Sequence, residues 1–278
     1  MTKFLGIEYG RGCLHTAIAD GPALAPRAVQ KMFPNHDWSF ITAAPFDAVA
    51  CSSDRFGENF QIQQQIYANT PTERHIMIGG DHSVNFGHFA ALRDQIPSLE
   101  LCLIYIDAHL DIHTPETAVS QASGAPHGTN VRALMGNGDK RWLGLQKNFP
   151  ALRPENVFYL GTRSYEPAEI EFAQSNDIFI RHADQLKSES DWIAAAAEIR
   201  NRIGNRPFVV SLDFDAIDPS EFHDVLVPAE NGLCTNAVKY FIREFHDAYS
   251  FEFVEYAPTG DIASQKIVRD IIELVTRN

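Results

Sequence analysis

"LCLIYIDAHLDIH", residues 101–113, runs from an unbroken apolar stretch into one where Asp107, His109, Asp111 and His113 take every second position. The apolar half has the composition of a strand buried on both faces, as in a parallel sheet covered by helices. A strand rises about 3.3 Å per residue, so Asp107 and Asp111 in an extended strand would stand roughly 13 Å apart, too far to share an ion. A strand that ends near Asp107 and then curls would instead turn Asp107, His109 and Asp111 into one pocket.

The same design recurs along the chain. "FLGIEY", "HIMIGG", "NVFYLGT", "DIFI", "PFVVSLDFD" and "FEFVEYAP" are further short apolar runs, and between them lie segments of helical length or spacing at 58–68, 84–94, 190–203, 235–247 and 261–276. Strand and helix alternate, which predicts a largely parallel sheet with helices on both faces. Several of the runs end in polar clusters: "GGDHS", "DAHLDIH", "GTRSYE", "DFD" and "EYAP". Ligands of open α/β sheets bind beyond the carboxyl ends of the strands, so these clusters should face one crevice. Residues 121–138, rich in Gly, predict a long loop followed by a short helix, and such loops in compact domains are often functional.

The 278 residues read as a single domain, 1–278, with 45% hydrophobic and 21% charged residues and no low-complexity segment. A net charge of -13 argues against nucleic acid or an anionic membrane as partner and favours a cationic substrate. Cys13, Cys51, Cys102 and Cys234 lack any CxxC spacing, which predicts reduced thiols and a cytoplasmic protein. The start "MTKFLGIEYG" has no signal-peptide core, and no apolar run is long enough to span a membrane.

Asp213 and Asp215 in "SLDFDAIDP" repeat the spacing of two that puts side chains on one face, and His82 follows the turn-forming Gly79 and Gly80. With Asp107, His109 and Asp111 they make four carboxylates and two imidazoles. This thiolate-free donor set suits Mn²⁺, and four negative charges balance two divalent ions. A hydroxide between the ions would leave the cluster at net minus one, again favouring a cation. Asp81 is expected to orient a ligand, Ser83 to cap the next helix, and Asp218, before Pro219, to start a turn.

"GGDHS", "DAHLDIH" and "SLDFDAIDP", in this order, resemble the ureohydrolase (arginase and agmatinase) family, and the similarity extends from "ADGPALAPRAV" to "EYAPTGD". The resemblance implies a three-layer α/β/α fold with a central parallel sheet, two Mn²⁺ per subunit and a homo-oligomer, trimeric or hexameric. It implies one ion on His82, Asp107, Asp111 and Asp213, and a second on His109 and Asp215, with Asp107 and Asp213 bridging. Two metals about 3.5 to 4 Å apart can lower the pKa of a shared water. The hydroxide would attack the carbon of a small guanidino substrate and release urea and an amine. Asp111 would relay the proton, His127 would shuttle it with an ordinary imidazole pKa near 6.5, and Glu255 would grip the guanidinium through paired N–H bonds.

The substrate end departs from the family pattern. His113 and Ala125 stand where asparagines bind an amino-acid carboxylate, Glu166 stands for an Asp, Ser164 for another, and Ser123 and Glu169 keep their family counterparts. A protonated His113 would still bind an anion. Residues 220–233, "SEFHDVLVPAENGL", replace a Thr/Gly/Pro loop with bulky Val225, Leu226 and Val227 and predict a reshaped pocket wall around 221–230. An arginine-like substrate leads, ahead of agmatine and guanidino acids. Formimidoylglutamate would need a basic pocket residue, with Arg132 and Arg163 the candidates. A metal-binding member that has lost catalysis is the non-enzyme alternative.

Overall fold

The structure, a computed structural model, describes residues 1–13, 21–45, 54–96 and 100–276; Cys51 lies outside them. Eight strands, β1 (Lys3–Glu8), β2 (Asp37–Thr42), β3 (His75–Ile78), β4 (Cys102–Ile106), β5 (Val157–Thr162), β6 (Phe179–His182), β7 (Phe208–Asp213) and β8 (Ser250–Val254), form one sheet in the order β2-β1-β3-β8-β7-β4-β5-β6. All the pairs are parallel.

Alternation along each strand splits the core into two layers. Ile104 and Ile106 of β4 pack with Val210 and Leu212 of β7 against helices Glu189–Ile203, Thr235–Glu244 and Ile262–Thr276. Leu103 and Tyr105 turn the other way, onto helices Asn85–Gln95, Asn130–Leu134 and Pro167–Ser175. Both faces are covered, so these strands read as continuous apolar runs. Helix ends follow local chemistry: the Ser188 hydroxyl accepts from the Asp191 amide at the start of Glu189–Ile203, and Gly204 ends that helix at φ 59°.

β2 escaped the sequence pattern. "DWSFIT" alternates exposed and half-buried residues at the sheet edge, with Trp38 stacked on Phe4 at 4.4 Å between ring centroids. Helices Ala25–Met32 and Pro167–Ser175 were also not marked by the spacing. Among the described residues no helix is long and apolar enough to cross a membrane, and Cys13, Cys102 and Cys234 are free thiols.

A buried polar chain ties the helix that follows His82 to the strand that leads to Glu255. His75 Nδ1 lies 2.9 Å from the Glu73 carbonyl, His75 Nε2 lies 2.7 Å from His88 Nε2, and His88 Nδ1 lies 2.5 Å from Glu252 Oε1. A carbonyl only accepts, so His75 carries a proton on Nδ1. Glu252 faces His88 Nδ1 and also accepts from Asn85.

Candidate functional site

Register assembles the site. β4 and β7 pair Ile106 with Leu212, β7 and β8 pair Asp213 with Val254, and β3 and β8 pair Ile78 with Phe253. The next residues beyond these pairs, Asp107, Glu255 and the Gly79–Gly80 turn, therefore emerge side by side at the carboxyl edge. A Cβ on Gly80 would fall 1.4 Å from the Tyr9 carbonyl oxygen, so only glycine fits there.

The chain does curl after Asp107. The Ala108 carbonyl accepts from the Arg163 and Ser164 amides at 2.9 Å each, and Asp111 sits at φ 53°. Glu255, at φ 62°, is the other left-handed residue of the site, and its amide donates to the Gly80 carbonyl at 2.7 Å. Such backbone costs of order 1 to 3 kcal/mol and persists only where its surroundings hold it.

His82 Nδ1 lies 2.9 Å from Asp107 Oδ2, 3.1 Å from Asp213 Oδ2 and 3.6 Å from Asp111 Oδ2; His109 Nδ1 lies 3.1 Å from Asp215 Oδ2 and 3.5 Å from Asp107 Oδ1. Ligand atoms of His82, Asp107 and Asp111, and of Asp107, His109 and Asp215, each fall within 4.8 Å of one another, so Asp107 belongs to both groups. His82 Nε2 is held by the Ser211 hydroxyl at 2.9 Å, which leaves Nδ1 for the cluster, and its ring stacks on Tyr105 at 4.3 Å. Tyr105 donates to Asp111 at 2.7 Å, and Asn130 supports it at 3.3 Å.

The electrostatics call for cations. Burial opposes charge on both imidazoles, yet Asp107 and Asp213 hold His82, and Asp215 and Asp107 hold His109, well above the ordinary imidazole range. Burial and then Asp215 and Asp107 push Asp213 well up, and burial with Asp107 brings Asp111 to about 7. Protons thus gather where divalent ions would supply the charge, and metal binding to such groups displaces protons. Asp107 Oδ2 is buried with the His82 imidazole 2.9 Å away. A buried set of carboxylate oxygens and imidazole nitrogens crowded this closely, without a thiolate, fits a hard or borderline divalent ion.

A cavity of about 290 Å³ is lined by His82, His109, Asp111, His113, Ser123, His127, Glu166, Glu169, Asp213, Asp215 and Glu255, with Asp107 buried beneath it. Glu255 Oε1 accepts from the His82 amide at 2.8 Å, while buried Oε2 has no partner among the described residues. Burial, then repulsion from Asp81, pushes its carboxyl well up.

Several details differ from the sequence reading. His127 Nδ1 donates to the Gly12 carbonyl at 3.2 Å, so Nε2 is its acceptor. Burial, with the charges of His109, Arg55 and His82, pushes this imidazole down to about 4 rather than leaving it near 6.5. His113 Nε2 lies 3.2 Å from Glu169 and 3.3 Å from Glu166; burial lowers its pKa, and these two carboxylates more than offset that and raise it above the ordinary imidazole value. Asp81 accepts from the Gly12 and Ser83 amides at 2.7 and 2.9 Å, and among the described residues it forms no hydrogen bond to a candidate ligand side chain. Asp81 rather than Ser83 caps the turn that starts at His82, and the Ser83 hydroxyl accepts from Asn59 instead. Asp218 accepts from Ser220 and Gly232, as a turn residue should. Ser211 and Tyr105, two residues before Asp213 and Asp107, share their faces, so the period of two could have found them. Cys13 and the Gly12 carbonyl carry no such signal.

A family model described as the arginase family matches residues 10–277. The arginase of Neurospora crassa is 30% identical over 232 residues, which are 77% of this chain and 63% of that one. The arginase of Entamoeba histolytica is 28% identical over 211 residues, 72% and 68% of the two chains. The crystal structure of the Entamoeba histolytica arginase in complex with L-ornithine superposes with a TM-score of 0.83 at 21% identity, covering 99% of this chain and 98% of that one. The chain spans 54% to 68% of the length of the first curated relatives it matches.

Proposed function

The chain belongs to the arginase family, and from that premise we propose that it is a binuclear manganese hydrolase of a guanidino compound, releasing urea and an amine. The observation that carries the proposal is one carboxylate oxygen, Glu255 Oε2, buried without a partner in the same cavity as two metal-ligand groups that share Asp107. A free carboxylate oxygen beside a cation-seeking cluster is the arrangement that binds a guanidinium and presents its carbon to a nucleophile.

His82, Asp107, Asp111 and Asp213 would hold one ion, and His109, Asp215 and the two shared carboxylates the other. When bound, the pair supplies the Lewis acidity that makes water nucleophilic at neutral pH. The chain's own groups do the rest. Glu255 is fixed through Oε1 by the His82 amide and receives the guanidinium on Oε2. Asp111, steadied by Tyr105 and Asn130, holds the proton that must reach the leaving nitrogen. His127, neutral at pH 7, offers Nε2 as an acceptor to the cavity.

The names of the relatives make arginine the first substrate to test. A formimidoylglutamate substrate would require a cation for its extra carboxylates. Arg163 instead gives its guanidinium to five backbone carbonyls, those of Gly161, Asp215, Ala216, Ala229 and Glu230, and Arg132 lies over the Phe172 ring. The test is urea release after Mn²⁺ loading, across arginine, agmatine, 4-guanidinobutyrate and simple alkylguanidines, with formamide release from formimidoylglutamate as the competing readout. Turnover of a guanidino compound is expected, and no turnover of any would sink the proposal.

A further inference from the structure

We infer that Arg163 is a positioning residue for the second ligand group, Asp107, His109 and Asp215, and that its guanidinium acts on the main chain that carries them. The inference deepens the binuclear reading and rests on it for what that group binds.

Arg163 follows the last residue of β5, and β4 separates β5 from β7 in the sheet. Its amide donates to the Ala108 carbonyl at 2.9 Å, inside the curl between Asp107 and His109. Its side chain reaches across the end of β4 to the turn Phe214–Ala216, where Nη2 donates to the Asp215 carbonyl at 2.7 Å and Nη1 to the Ala216 carbonyl at 3.2 Å. One residue thus holds the main chain on both sides of the group. The Ala108 amide, 3.3 Å from Asp215 Oδ1, closes the link between the two sides. The same guanidinium takes the Gly161 carbonyl at 3.2 Å and the Ala229 and Glu230 carbonyls at 2.7 and 3.0 Å. Gly232 leaves the space for it, since a Cβ there would fall 2.8 Å from Nη2. Carbonyls in several directions suit a planar fork with five donors, and a lysine offers only one nitrogen.

The first group is supported by other residues. Ser211 holds His82, Tyr105 stacks on its ring, and Tyr105 and Asn130 donate to Asp111. None of these contacts involves Arg163. Asp107 belongs to both groups, but its own amide donates to the Leu160 carbonyl at 3.1 Å, which does not depend on the fork. Residues behind a metal ligand set its affinity by about ten- to a hundredfold. Loss of the fork should therefore reach the second ion and spare the first.

The test is manganese titration of Arg163→Lys, which keeps the charge and loses the fork, read by the paramagnetic resonance of free Mn²⁺ and paired with hydrogen exchange of the metal-free protein. In the variant the second ion should bind at least about tenfold more weakly than in the wild type, and the first within about twofold. In a His109→Ala background, which lacks a ligand of the second group, adding Arg163→Lys should change the remaining affinity by less than about twofold. Exchange should quicken in residues 214–218 and 229–233, whose carbonyls the fork holds, and stay unchanged in 79–90. Gly232→Ala, which crowds Nη2 and the Asp218 amide while keeping the arginine, should give the same pattern and serves if the lysine variant does not fold. Equal weakening of both ions, an unchanged second ion, or faster exchange throughout the chain would overturn the inference. A wild type that takes fewer than two ions, with the exchange change still confined to those two segments, would leave the positioning role standing and remove the binuclear reading instead.

Discussion

Acid should unfold this protein partly through one histidine outside the candidate metal site. His75 is buried between the Glu73 carbonyl and the His88 ring. Burial first, and the His88 charge second, push its pKa from 6.5 down to about 3. The sign follows from proton counting: between these two values the unfolded chain binds a proton that the native chain refuses, so stability is full above pH 6.5 and is lost as pH falls toward 3. At 1.36 kcal/mol per unit, the loss from pH 7.5 to 4.5 comes to about 2 to 3 kcal/mol from this residue alone. His75→Gln keeps an acceptor for His88 and a donor for Glu73 but cannot titrate. Urea denaturation of both proteins in EDTA, at both pH values, isolates the effect, because every other group is shared. The wild type should lose about 2 to 3 kcal/mol more than the variant on acidification. Equal losses would refute both the hydrogen-bond assignment and the neutral His75.

Asp213→Ala should fail to hold manganese at full occupancy and should lose urea release, since it strips a carboxylate shared by both proposed ions; metal analysis and activity together check this, and an active variant would invalidate the ligand assignment. Glu255→Gln should retain its metal content while turnover falls by about ten- to a hundredfold, the worth of one hydrogen bond to a charged group; unchanged turnover would remove Glu255 from the substrate site. Gly80→Ala has no room for its methyl beside the Tyr9 carbonyl, and a loss of about 2 to 3 kcal/mol is expected in denaturation, with any smaller effect showing that the turn can shift.

What the sequence disclosed was whatever depends on periodicity. β4, β7 and β8 are buried on both faces, so their apolar runs were legible. The polar residues that follow stand at strand ends, where the spacing of two persists. The rest depends on contacts between distant segments. β2 lies half-exposed at an edge and lacks a continuous run. The pKa of His127 depends on burial against Gly12, 115 residues away, which no local pattern encodes. Arg163 looked available as a pocket cation because its type was visible and its carbonyl partners were not. Glu252 sits inside an apolar strand, and only the fold reveals the His88 and Asn85 side chains that meet it.

The order of strands in the sheet has a consequence for how the site is held together. Among the described residues β8 is the last strand, yet it lies between β3 and β7 and alone links β2-β1-β3 to β7-β4-β5-β6 by strand pairing. His82 follows β3 of the first group; Asp107 follows β4 of the second, Asp213 ends β7 and Asp215 comes just after it. The candidate ligands therefore sit on two half-sheets that are held in one plane by residues 250–254 pairing on both sides. Any loosening of that one strand would separate His82 from the three aspartates without touching a candidate ligand.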